Sequence, residues 1–420
     1  MTRIAVIGSG ISGLAAAYYL SRKHEVFLFE KERRLGGHTH TVTVESSAGP
    51  LAVDTGFIVH NDLTYPNFIR LIKELGVPRV DSDMSFAVSC RKTGYEYSSR
   101  GVNGFFAQPK NLVKARPWRL FREIRRFNRE ATKILQQPGA EKLSLGEFLA
   151  EKKFSQEFCE FYLFPMASAV WSCGHSAVKE FPALTLIRFF DNHRFLSINN
   201  HAQWKTIPGG CGSYIAPITK PLAGRIFNGV AIREVSRDLS GVTISFKNGR
   251  PDLRFDQVVF ATHGDQVLPL LADATPRERD VLEAFETSRN EVVLHSDERL
   301  LPERSAARAS WNYLLHVDPR NGHGPVTMTY HMNRLQSLPV REHYCVTLNA
   351  TGQIRPERVL RKFVYHHPLY TRRSIHAQVR WKEISGQNRT HFCGAYWFYG
   401  FHEDGVNSAL RVANALGVQV

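Results

Sequence analysis

The chain contains 420 residues, of which 43% are hydrophobic and 22% are charged, a balance that excludes a disordered or fibrous protein. One hydrophobic core seldom serves so long a chain, so we expect two domains. The net charge of +15 favours anionic partners such as acidic lipid or a phosphorylated substrate, although solubility alone also accounts for it. Nucleic acid is not expected as a partner.

The N-terminal residues and the cysteines indicate a cytoplasmic protein. A strand begins at Arg3, which leaves no room for a signal peptide, and no run of about 18 apolar residues predicts a transmembrane helix. Six scattered cysteines form no Cys-x-x-Cys pair, which is typical of reduced cytosolic thiols. No group of histidines has metal-ligand spacing, so we expect no metal site. The cysteines are Cys90, Cys159, Cys173, Cys211, Cys345 and Cys393.

Residues 3–30 have the pattern strand, glycine turn, helix, strand, and the turn is Gly8-Ser9-Gly10-Ile11-Ser12-Gly13. In a dinucleotide-binding turn Gly8 permits the tight bend, Gly10 lets the backbone approach a pyrophosphate, and Gly13 lets the helix pack on the strand. The free amides at the start of that helix favour phosphate groups.

An acidic residue follows at the end of the second strand. Glu30 stands 17 positions after Gly13, where a carboxylate accepts hydrogen bonds from ribose hydroxyls. It would repel a 2′-phosphate, so the site does not suit NADP.

The remaining elements fall in separate blocks along the chain. A helix is predicted from Tyr65 to Leu75, a helical and aromatic region over 85–204, and short strands over 225–262. Residues 290–385 alternate strand-like runs with polar loops, and 390–417 are again strand, glycine turn and helix.

This order predicts an α/β fold, in which a Rossmann-like dinucleotide domain is interrupted twice by an α+β substrate domain. The predicted dinucleotide domain comprises residues 1–84, 205–285 and 390–420. The predicted substrate domain comprises residues 85–204 and 286–389.

One segment is unusually basic. Lys110 to Arg129 contains eight Lys or Arg residues and one acid, Glu123, while Leu120, Ile124, Phe127, Ala131 and Ile134 recur at helical spacing. Two interpretations remain: the segment docks on the anionic inner face of a membrane, or its apolar stripe faces the core and its arginines are solvated.

The residues after the acid carry a resemblance to a known family. Arg34-Leu35-Gly36-Gly37-His38 resembles the Arg-x-Gly-Gly-Arg motif of the flavin amine oxidase and carotenoid desaturase superfamily, whose double glycine wraps the FAD pyrophosphate. The resemblance implies FAD as the cofactor. His38 departs from the family's arginine and offers one hydrogen bond and only a partial charge near neutral pH.

Further segments resemble the same superfamily in the same order. Asp54-Thr55-Gly56 resembles a flavin-side loop, Gly209-Gly210 a glycine pair before a helix at about Ser213 to Leu222, and Gly229-Val230-Ala231 a strand at the adenine edge. Val258 to Thr262, including Ala261, resembles the strand that closes the nucleotide domain.

The C-terminal segment resembles the superfamily's last signature. A strand ends in Phe392-Cys393-Gly394, and Gly400 to Ala409 leads into a helix. In the family this helix start faces the flavin N1–C2=O edge, where helix amides stabilise the charge of the reduced flavin. The resemblance implies Val406 and Asn407 as the amide donors. The sequence lacks the Ser-Gly-Cys motif that carries covalent flavin in some members of the family, so we expect FAD held without a covalent bond. The candidate FAD-binding residues are Gly8, Gly10, Ile11, Ser12, Gly13, Glu30, Lys31, Arg34, Gly36, Gly37, His38, Thr55, Gly56, Val230, Ala261, Gly394, Glu403, Gly405, Val406 and Asn407.

Departures from the family pattern bear on the reaction. The strand that carries a lysine near flavin N5 in amine oxidases ends here in His295. His402, Glu403 and His295 are the candidate catalytic bases. The aromatic run Tyr396 to Tyr399 would flank an amine, wall an apolar chain or pack in the core, and only one of the neighbouring His366 and His367 should face a cavity.

Within the superfamily the chain looks most like a bacterial branch associated with cyclopropane-fatty-acid-synthase-like enzymes. That branch implies a desaturase of a methylated, unsaturated acyl phospholipid on the route to furan fatty acids, with a lipid or other hydrophobic molecule as substrate. A peroxide-producing amine oxidase and a non-catalytic flavin-binding partner of a lipid enzyme are the two alternatives.

Overall fold

Two large sheets organise the protein. The computed structural model describes residues 1–137, 143–171, 174–196, 202–247, 249–315 and 326–420. The α/β fold class predicted from the sequence is confirmed. Cys173 lies outside the described residues, and the other five cysteines are buried and free.

The first sheet is parallel and contains five strands. Arg3–Ile7 lies at its centre, because its apolar side chains Ile4, Val6 and Ile7 are covered on both faces. Three helices that pack into this core are Ile11–Leu20, Pro66–Glu74 and His402–Ala415. The strands, in spatial order, are Ile226–Asn228, Glu25–Glu30, Arg3–Ile7, Gln257–Phe260 and Thr390–Phe392.

The second sheet is mixed, contains seven strands and packs against a layer of helices that forms a second core. Its strands, in spatial order, are Val359–Leu369, Glu286–His295, Cys345–Leu348, Thr327–His331, Trp311–Leu314, Phe86–Cys90 and Tyr95–Ser98. Helices of this part are Gly101–Phe105, Ala115–Ile134, Leu145–Glu151, Gln156–Phe158, Phe164–Trp171, His175–Glu180 and Ala183–Asn192, with a π-turn at Cys159–Leu163.

Smaller elements complete the chain. Additional strands are Thr41–Ser46, Gly49–Asp54, His60–Asn61, Val80–Ser82, Trp204–Thr206, Ile232–Asp238, Gly241–Phe246 and Leu253–Phe255. Additional helices are Ile215–Thr219, Pro276–Leu282, Met332–Leu335, Arg372–Val379 and Trp381–Ile384.

The structure differs from the sequence-based elements at two places. The helix predicted at about Ser213 to Leu222 is one short α-helix between two 3₁₀ turns, because Pro221 has no amide to continue the hydrogen-bond ladder. Ala377 and Trp381, assigned from sequence to the substrate domain, pack in the core of the parallel sheet. The Trp381 indole N–H donates to the Phe392 carbonyl at 2.8 Å, which ties this segment to the last strand of that sheet.

The basic segment forms a long helix, Ala115–Ile134. Its apolar stripe of Leu120, Ile124, Phe127, Ala131 and Ile134 is buried in the second core. The stripe is therefore a core surface, and any surface for a partner must come from other residues. No helix in the described ranges is long and apolar enough to cross a membrane.

Candidate active site

The glycine turn between the first strand and the first helix packs tightly except at one position. Gly8 has a φ of +103°, and a Cβ atom there would lie 2.7 Å from the Ala261 carbonyl oxygen. A Cβ atom at Gly13 would collide with the Gly8 carbonyl. A Cβ atom at Gly10 would meet no protein atom within 4 Å. The backbone surface at Gly10 is thus the part of the turn that is open to a ligand.

Glu30 lies beside this turn at the end of its strand. Its carboxylate accepts hydrogen bonds from the Ser9 backbone amide at 2.9 Å, the Ser9 hydroxyl at 2.7 Å and the Glu32 amide at 2.9 Å. The Val230 amide donates to the Glu30 carbonyl at 3.0 Å, which brings the predicted adenine-edge strand to the same place. A carboxylate has about four acceptor positions, so the ribose contact stays a prediction that this geometry permits.

The loop after Glu30 folds back over the glycine turn. The Gly36 amide donates to the Ser9 carbonyl at 3.0 Å, and a Cβ atom at Gly37 would lie 2.9 Å from the Gly10 Cα atom. The Arg34 guanidinium donates to the Gly37 carbonyl at 2.7 Å and so holds the loop backbone. The side chain of Lys31 is exposed to solvent. The double glycine therefore has a steric reason: two backbone segments meet where a pyrophosphate would bind.

His38 is buried and faces three other aromatic or imidazole rings. Its ring centroid lies 5.2 Å from that of Tyr365, 5.4 Å from that of His367 and 5.5 Å from that of His263. Burial, and then the neighbouring histidines, hold the pKa of His38 well below its usual value, so the imidazole is neutral. The expectation that His38 carries a partial charge near neutral pH is therefore wrong. The His38 Nε2 atom is buried without a hydrogen-bond partner in the described part of the chain, which fits one hydrogen bond to a bound molecule.

The last helix begins earlier than the sequence predicts. It runs from His402, and the Gly405 amide already donates to the Phe401 carbonyl at 3.0 Å. The amides of Val406 and Asn407 therefore lie in the intrahelical ladder, and their assignment as flavin donors is wrong. The free first-turn amides belong to His402, Glu403 and Asp404.

Gly405, predicted as an FAD-binding residue, lies inside the last helix and has a packing role. A Cβ atom there would lie 2.6 Å from the Ile11 Cγ2 atom and 2.9 Å from the Ser12 Oγ atom. The starts of the first and last helices are thereby in contact, which concentrates free amides beside the glycine turn. The Gly394 amide donates to the Ser408 hydroxyl at 2.9 Å and fixes the last strand against the same helix.

The Glu403 carboxylate is not placed to act as a catalytic base or to contact the flavin, which leaves only its backbone amide for the cofactor. Its carboxylate accepts hydrogen bonds from the Asn67 amide at 3.0 Å and the Phe68 amide at 2.8 Å, at the start of Pro66–Glu74. The Asn407 side-chain oxygen accepts from the Asn67 side-chain amide at 2.8 Å. Both side chains join two helices, and burial raises the pKa of Glu403.

A cavity of about 1040 Å³ begins beside the flavin-side residues and ends at the basic helix. At one end its lining includes His38, Thr55, Gly56 and His402, and the Thr55 hydroxyl is 2.7 Å from the Tyr365 hydroxyl. At the other end Phe105, Phe106, Trp118 and Phe121 form the wall. Most of the wall between them is aliphatic or aromatic, including Met84, Ile124, Met166, Val170 and Phe189.

Of the three candidate bases, only His402 lines this cavity. Its ring stacks on Phe57 with centroids 3.4 Å apart, and its Nε2 atom lies 2.9 Å from the Thr39 hydroxyl. Burial holds the pKa of His402 well below its usual value, so the imidazole is neutral. His295 is buried elsewhere: its Nε2 atom lies 2.7 Å from the Thr347 hydroxyl, and its assignment as a base at this site is wrong.

The strand geometry explains the misplacement of His295. Val292 is the residue of the strand Glu286–His295 that lines the cavity. His295 stands three positions further along, and an odd spacing along a strand places its side chain on the opposite face of the sheet, where it meets Thr347. Asn290 donates from Nδ2 to the His367 Nδ1 atom at 3.0 Å and fixes that ring. His367 lines the cavity and His366 is exposed, as the alternation of a strand predicts.

The sequence did not identify three further polar groups in the cavity wall. Within the described ranges, the Tyr370 hydroxyl, the Trp311 indole N–H and the Asn128 side-chain oxygen are buried and have no hydrogen-bond partner. They come from three separate elements and share no motif, so no pattern along the chain signals them. Of the aromatic run, Tyr399 lines the cavity, whereas Tyr396 and Trp397 pack in the first core.

Comparison with known proteins gives the family. A family model described as flavin containing amine oxidoreductase matches residues 11–417. A Mycobacterium tuberculosis protein assigned as a flavin-containing monoamine oxidase, AofH, is 27% identical over 272 residues, covering 60% of this chain and 55% of that protein. The chain thus matches about half the length of this curated relative.

Solved structures show the same fold. Putrescine oxidase bound to putrescine superposes with a TM-score of 0.72 at 14% identity, over 100% of this chain and 99% of the other. A conjugated-linoleic-acid-producing fatty acid isomerase from P. acnes superposes with a TM-score of 0.70 at 16% identity, over 99% of both chains.

The chain belongs to the flavin-containing amine oxidoreductase family, and FAD is the cofactor of that family. Its residues fit the cofactor: Gly10, the Gly36-Gly37 loop and the first-helix amides would hold the pyrophosphate, and Glu30 the ribose. The first-turn amides of the last helix and His38 are placed to contact the flavin end.

Proposed function

We propose that the protein is an FAD-dependent oxidoreductase that removes hydrogen from a lipid acyl chain, with a methylated, unsaturated acyl phospholipid as its expected substrate. The observation that carries the proposal is the apolar cavity of about 1040 Å³ between the flavin-side residues and the basic helix. A long apolar wall suits a flexible hydrocarbon better than a small polar substrate.

The small number of charged groups in the cavity wall favours a lipid substrate over an amine. Asp83 is the one carboxylate among the described residues that line the cavity. It accepts hydrogen bonds from the hydroxyls of Ser85 and Ser310, at 2.5 and 2.8 Å, and lies 3.6 Å from Arg334. Its charge is therefore compensated within the protein and is a poor partner for a substrate ammonium group.

The chemistry divides between the cofactor and the chain. When bound, FAD supplies an acceptor for a hydride from a C–H bond. His402 is the candidate that would take the accompanying proton, because it is the one predicted base whose side chain lies in the cavity wall. The Tyr370 hydroxyl, which has no partner among the described residues, is available for one hydrogen bond inside the cavity, while the aliphatic wall excludes water.

Amine oxidation is the second candidate, and it is favoured by the similarity to AofH and to putrescine oxidase. Tyr399 and Phe401 supply aromatic rings in the cavity wall, which would serve an amine nitrogen or a hydrocarbon. The similarity in fold to a fatty acid isomerase supports the lipid candidate to the same extent.

Anaerobic mixing of the FAD-loaded protein with defined substrates separates the candidates. Loss of the oxidised flavin absorbance with methylated, unsaturated phospholipids, and none with primary or secondary amines, is the expected result. Bleaching by amines, followed by peroxide release when oxygen is admitted, would replace the proposal with amine oxidation. Flavin that stays oxidised with every lipid and amine would indicate a non-catalytic flavin-binding partner.

A further inference from the structure

The cavity reaches the protein surface beside a group of exposed apolar side chains. Val102 is 72% exposed, Leu112 51%, Val113 90% and Trp118 42%, all within 17 consecutive residues. Val102 and Trp118 also line the cavity, so the exposed surface continues into its wall. We name this surface, comprising Val102, Leu112, Val113 and Trp118, the apolar rim. Side chains of this size are normally withdrawn from water, and their clustering indicates contact with an apolar partner.

The apolar rim is held by its own contacts and is a built feature of the fold. The Trp118 indole N–H donates to the Leu112 carbonyl at 3.0 Å, and the Trp118 ring lies 5.0 Å from that of Phe106. The helix Ala115–Ile134 is anchored beneath it through the buried stripe that includes Leu120 and Ile124. The rim thus projects from a packed base.

Uncompensated cations surround the apolar rim. From position 99 to position 122 the chain contains six Lys or Arg residues and no acid. Lys110, Lys114, Arg122 and Arg125 are exposed and form no ion pair with any described residue. Arg122 and Arg125 are four and seven positions after Trp118, so they share its face of the helix. The charge and the exposed hydrocarbon occur together on one surface.

Other arginines of the same helix are engaged within the protein. Arg116 pairs with Glu157 at 2.5 Å and lies over the Phe161 ring. Arg126 donates to the Lys153 carbonyl at 2.9 Å and lies over the Phe154 ring. These two residues stabilise the fold and are not free to bind a partner. In this they differ from Lys110, Lys114, Arg122 and Arg125.

We infer that the apolar rim and its cations form a docking surface for an anionic phospholipid membrane. Val113 and Leu112 enter the headgroup layer, Trp118 lies at the interface, and Lys114, Arg122 and Arg125 contact the lipid phosphates. The inference extends the proposed function, because it brings the cavity mouth against the bilayer so that an acyl chain enters without crossing water. The cations point to anionic lipid and not to a neutral apolar partner.

Vesicle co-sedimentation of the FAD-loaded protein tests the docking surface without any activity. Binding to phosphatidylglycerol vesicles at low salt, loss at high salt and no binding to phosphatidylcholine vesicles is the expected result. Reversal of Lys114, Arg122 and Arg125 to Glu should weaken binding at least about a hundredfold, since each cation contributes about fivefold. Val113→Asp should also weaken it, because the side chain would enter the headgroup layer.

Matched controls are available elsewhere on the surface. Arg361 and Lys362 are exposed on the far edge strand of the seven-stranded sheet, and Arg358 is exposed in the turn just before it. Reversal of these three residues to Glu changes the net charge equally. Val379, 78% exposed, provides the control Val379→Asp. Both controls should bind like the wild type, and all variants should keep wild-type FAD content and unfolding temperature.

Three results would overturn the docking surface: equal binding to neutral and anionic vesicles, no binding to either, or equal weakening by the control reversals. The lipid reaction is read separately, with short-chain lipid dispersed in detergent. If the protein binds vesicles but lipid does not bleach the flavin, the proposed function is wrong and the docking surface stands. If lipid bleaches the flavin but the protein does not bind vesicles, the docking surface is wrong and the proposed function stands.

Discussion

Gly405 in the last helix lies against Ile11 at the start of the first helix, so closely that a Cβ atom at position 405 would come within 2.6 Å of the Ile11 Cγ2 atom. The contact joins the two helix starts that offer free amides to the cofactor. The spacing of these helices therefore depends on the absence of a side chain at one position.

Replacement of Gly405 by Val should separate the two helices. Overpacking of this kind costs about 1–3 kcal/mol in the free energy of unfolding, and FAD content should fall with it. Urea unfolding and the flavin absorbance of the purified protein measure both effects. Gly352→Val is the matched control, because a Cβ atom at Gly352 would meet no atom within 4 Å; a Gly405→Val protein as stable as this control would contradict the packing role.

Two glycines of the turn should respond differently to Ala. Gly10 has a φ of −63° and open space at its Cβ position, so Gly10→Ala should leave the stability of the FAD-free protein unchanged while weakening FAD binding. Gly13→Ala places a methyl group against the Gly8 carbonyl and should reduce both. Thermal unfolding without FAD and a fluorescence titration with FAD separate the effects. Wild-type affinity in Gly10→Ala would remove this position from the pyrophosphate site.

Glu30→Ala should weaken FAD binding by about 1–3 kcal/mol, the effect of removing a charged hydrogen-bond partner. Because Glu30 also holds Ser9 through its carboxylate, part of the loss would come from the turn itself. Ser9→Ala removes only the hydroxyl contact and is the control for that part. Equal affinities of Glu30→Ala and Ser9→Ala, measured by FAD titration, would contradict a direct ribose contact.

Asp404 should make stability depend on pH. Burial raises the pKa of its carboxyl from 3.8 to about 7, while its Oδ2 atom accepts from the Phe401 amide at 2.9 Å. Between these values the native protein holds a proton that the unfolded chain releases, so this group's contribution to stability falls as pH rises from about 4 to about 7. Each pKa unit corresponds to about 1.4 kcal/mol.

Asp404→Asn keeps an acceptor for Phe401 and removes the titration. The free energy of unfolding of Asp404→Asn, minus that of the wild type, should therefore be larger at about pH 8 than at about pH 5. Urea unfolding at both pH values measures the difference, in which the titrating groups that do not interact with Asp404 cancel. A difference that does not change with pH would show that Asp404 titrates normally.

Local patterns in the sequence predicted the nucleotide-binding half of the site. The glycine turn, the acid after the second strand and the double glycine are each short segments with one steric or electrostatic cause, and the structure places them in contact. The sequence places Gly405 among the FAD-binding residues, whereas in the structure this glycine is required by a contact with Ile11, almost four hundred positions away. The start of the last helix and its free amides were misassigned for that reason.

The sequence alone could not predict the cavity. Its wall combines residues from both sheets and from the helices between them, such as Asn128, Trp311 and Tyr370, and only the tertiary packing brings these together. The apolar stripe of the basic helix was identified correctly by its period, but the period does not say whether a stripe faces a core or a partner. Burial of Leu120 and Phe127 answers that question.

A single anaerobic turnover analysed by mass spectrometry tests the central claim most directly. The FAD-loaded protein is mixed with a methylated, unsaturated phospholipid in the absence of oxygen, and the lipid is extracted after the flavin has bleached. The account predicts a lipid that has lost two hydrogen atoms, in a one-to-one ratio with the reduced flavin, because the hydride and the proton both leave the acyl chain. A lipid of unchanged mass, whether isomerised or intact, with flavin that remains oxidised would contradict it.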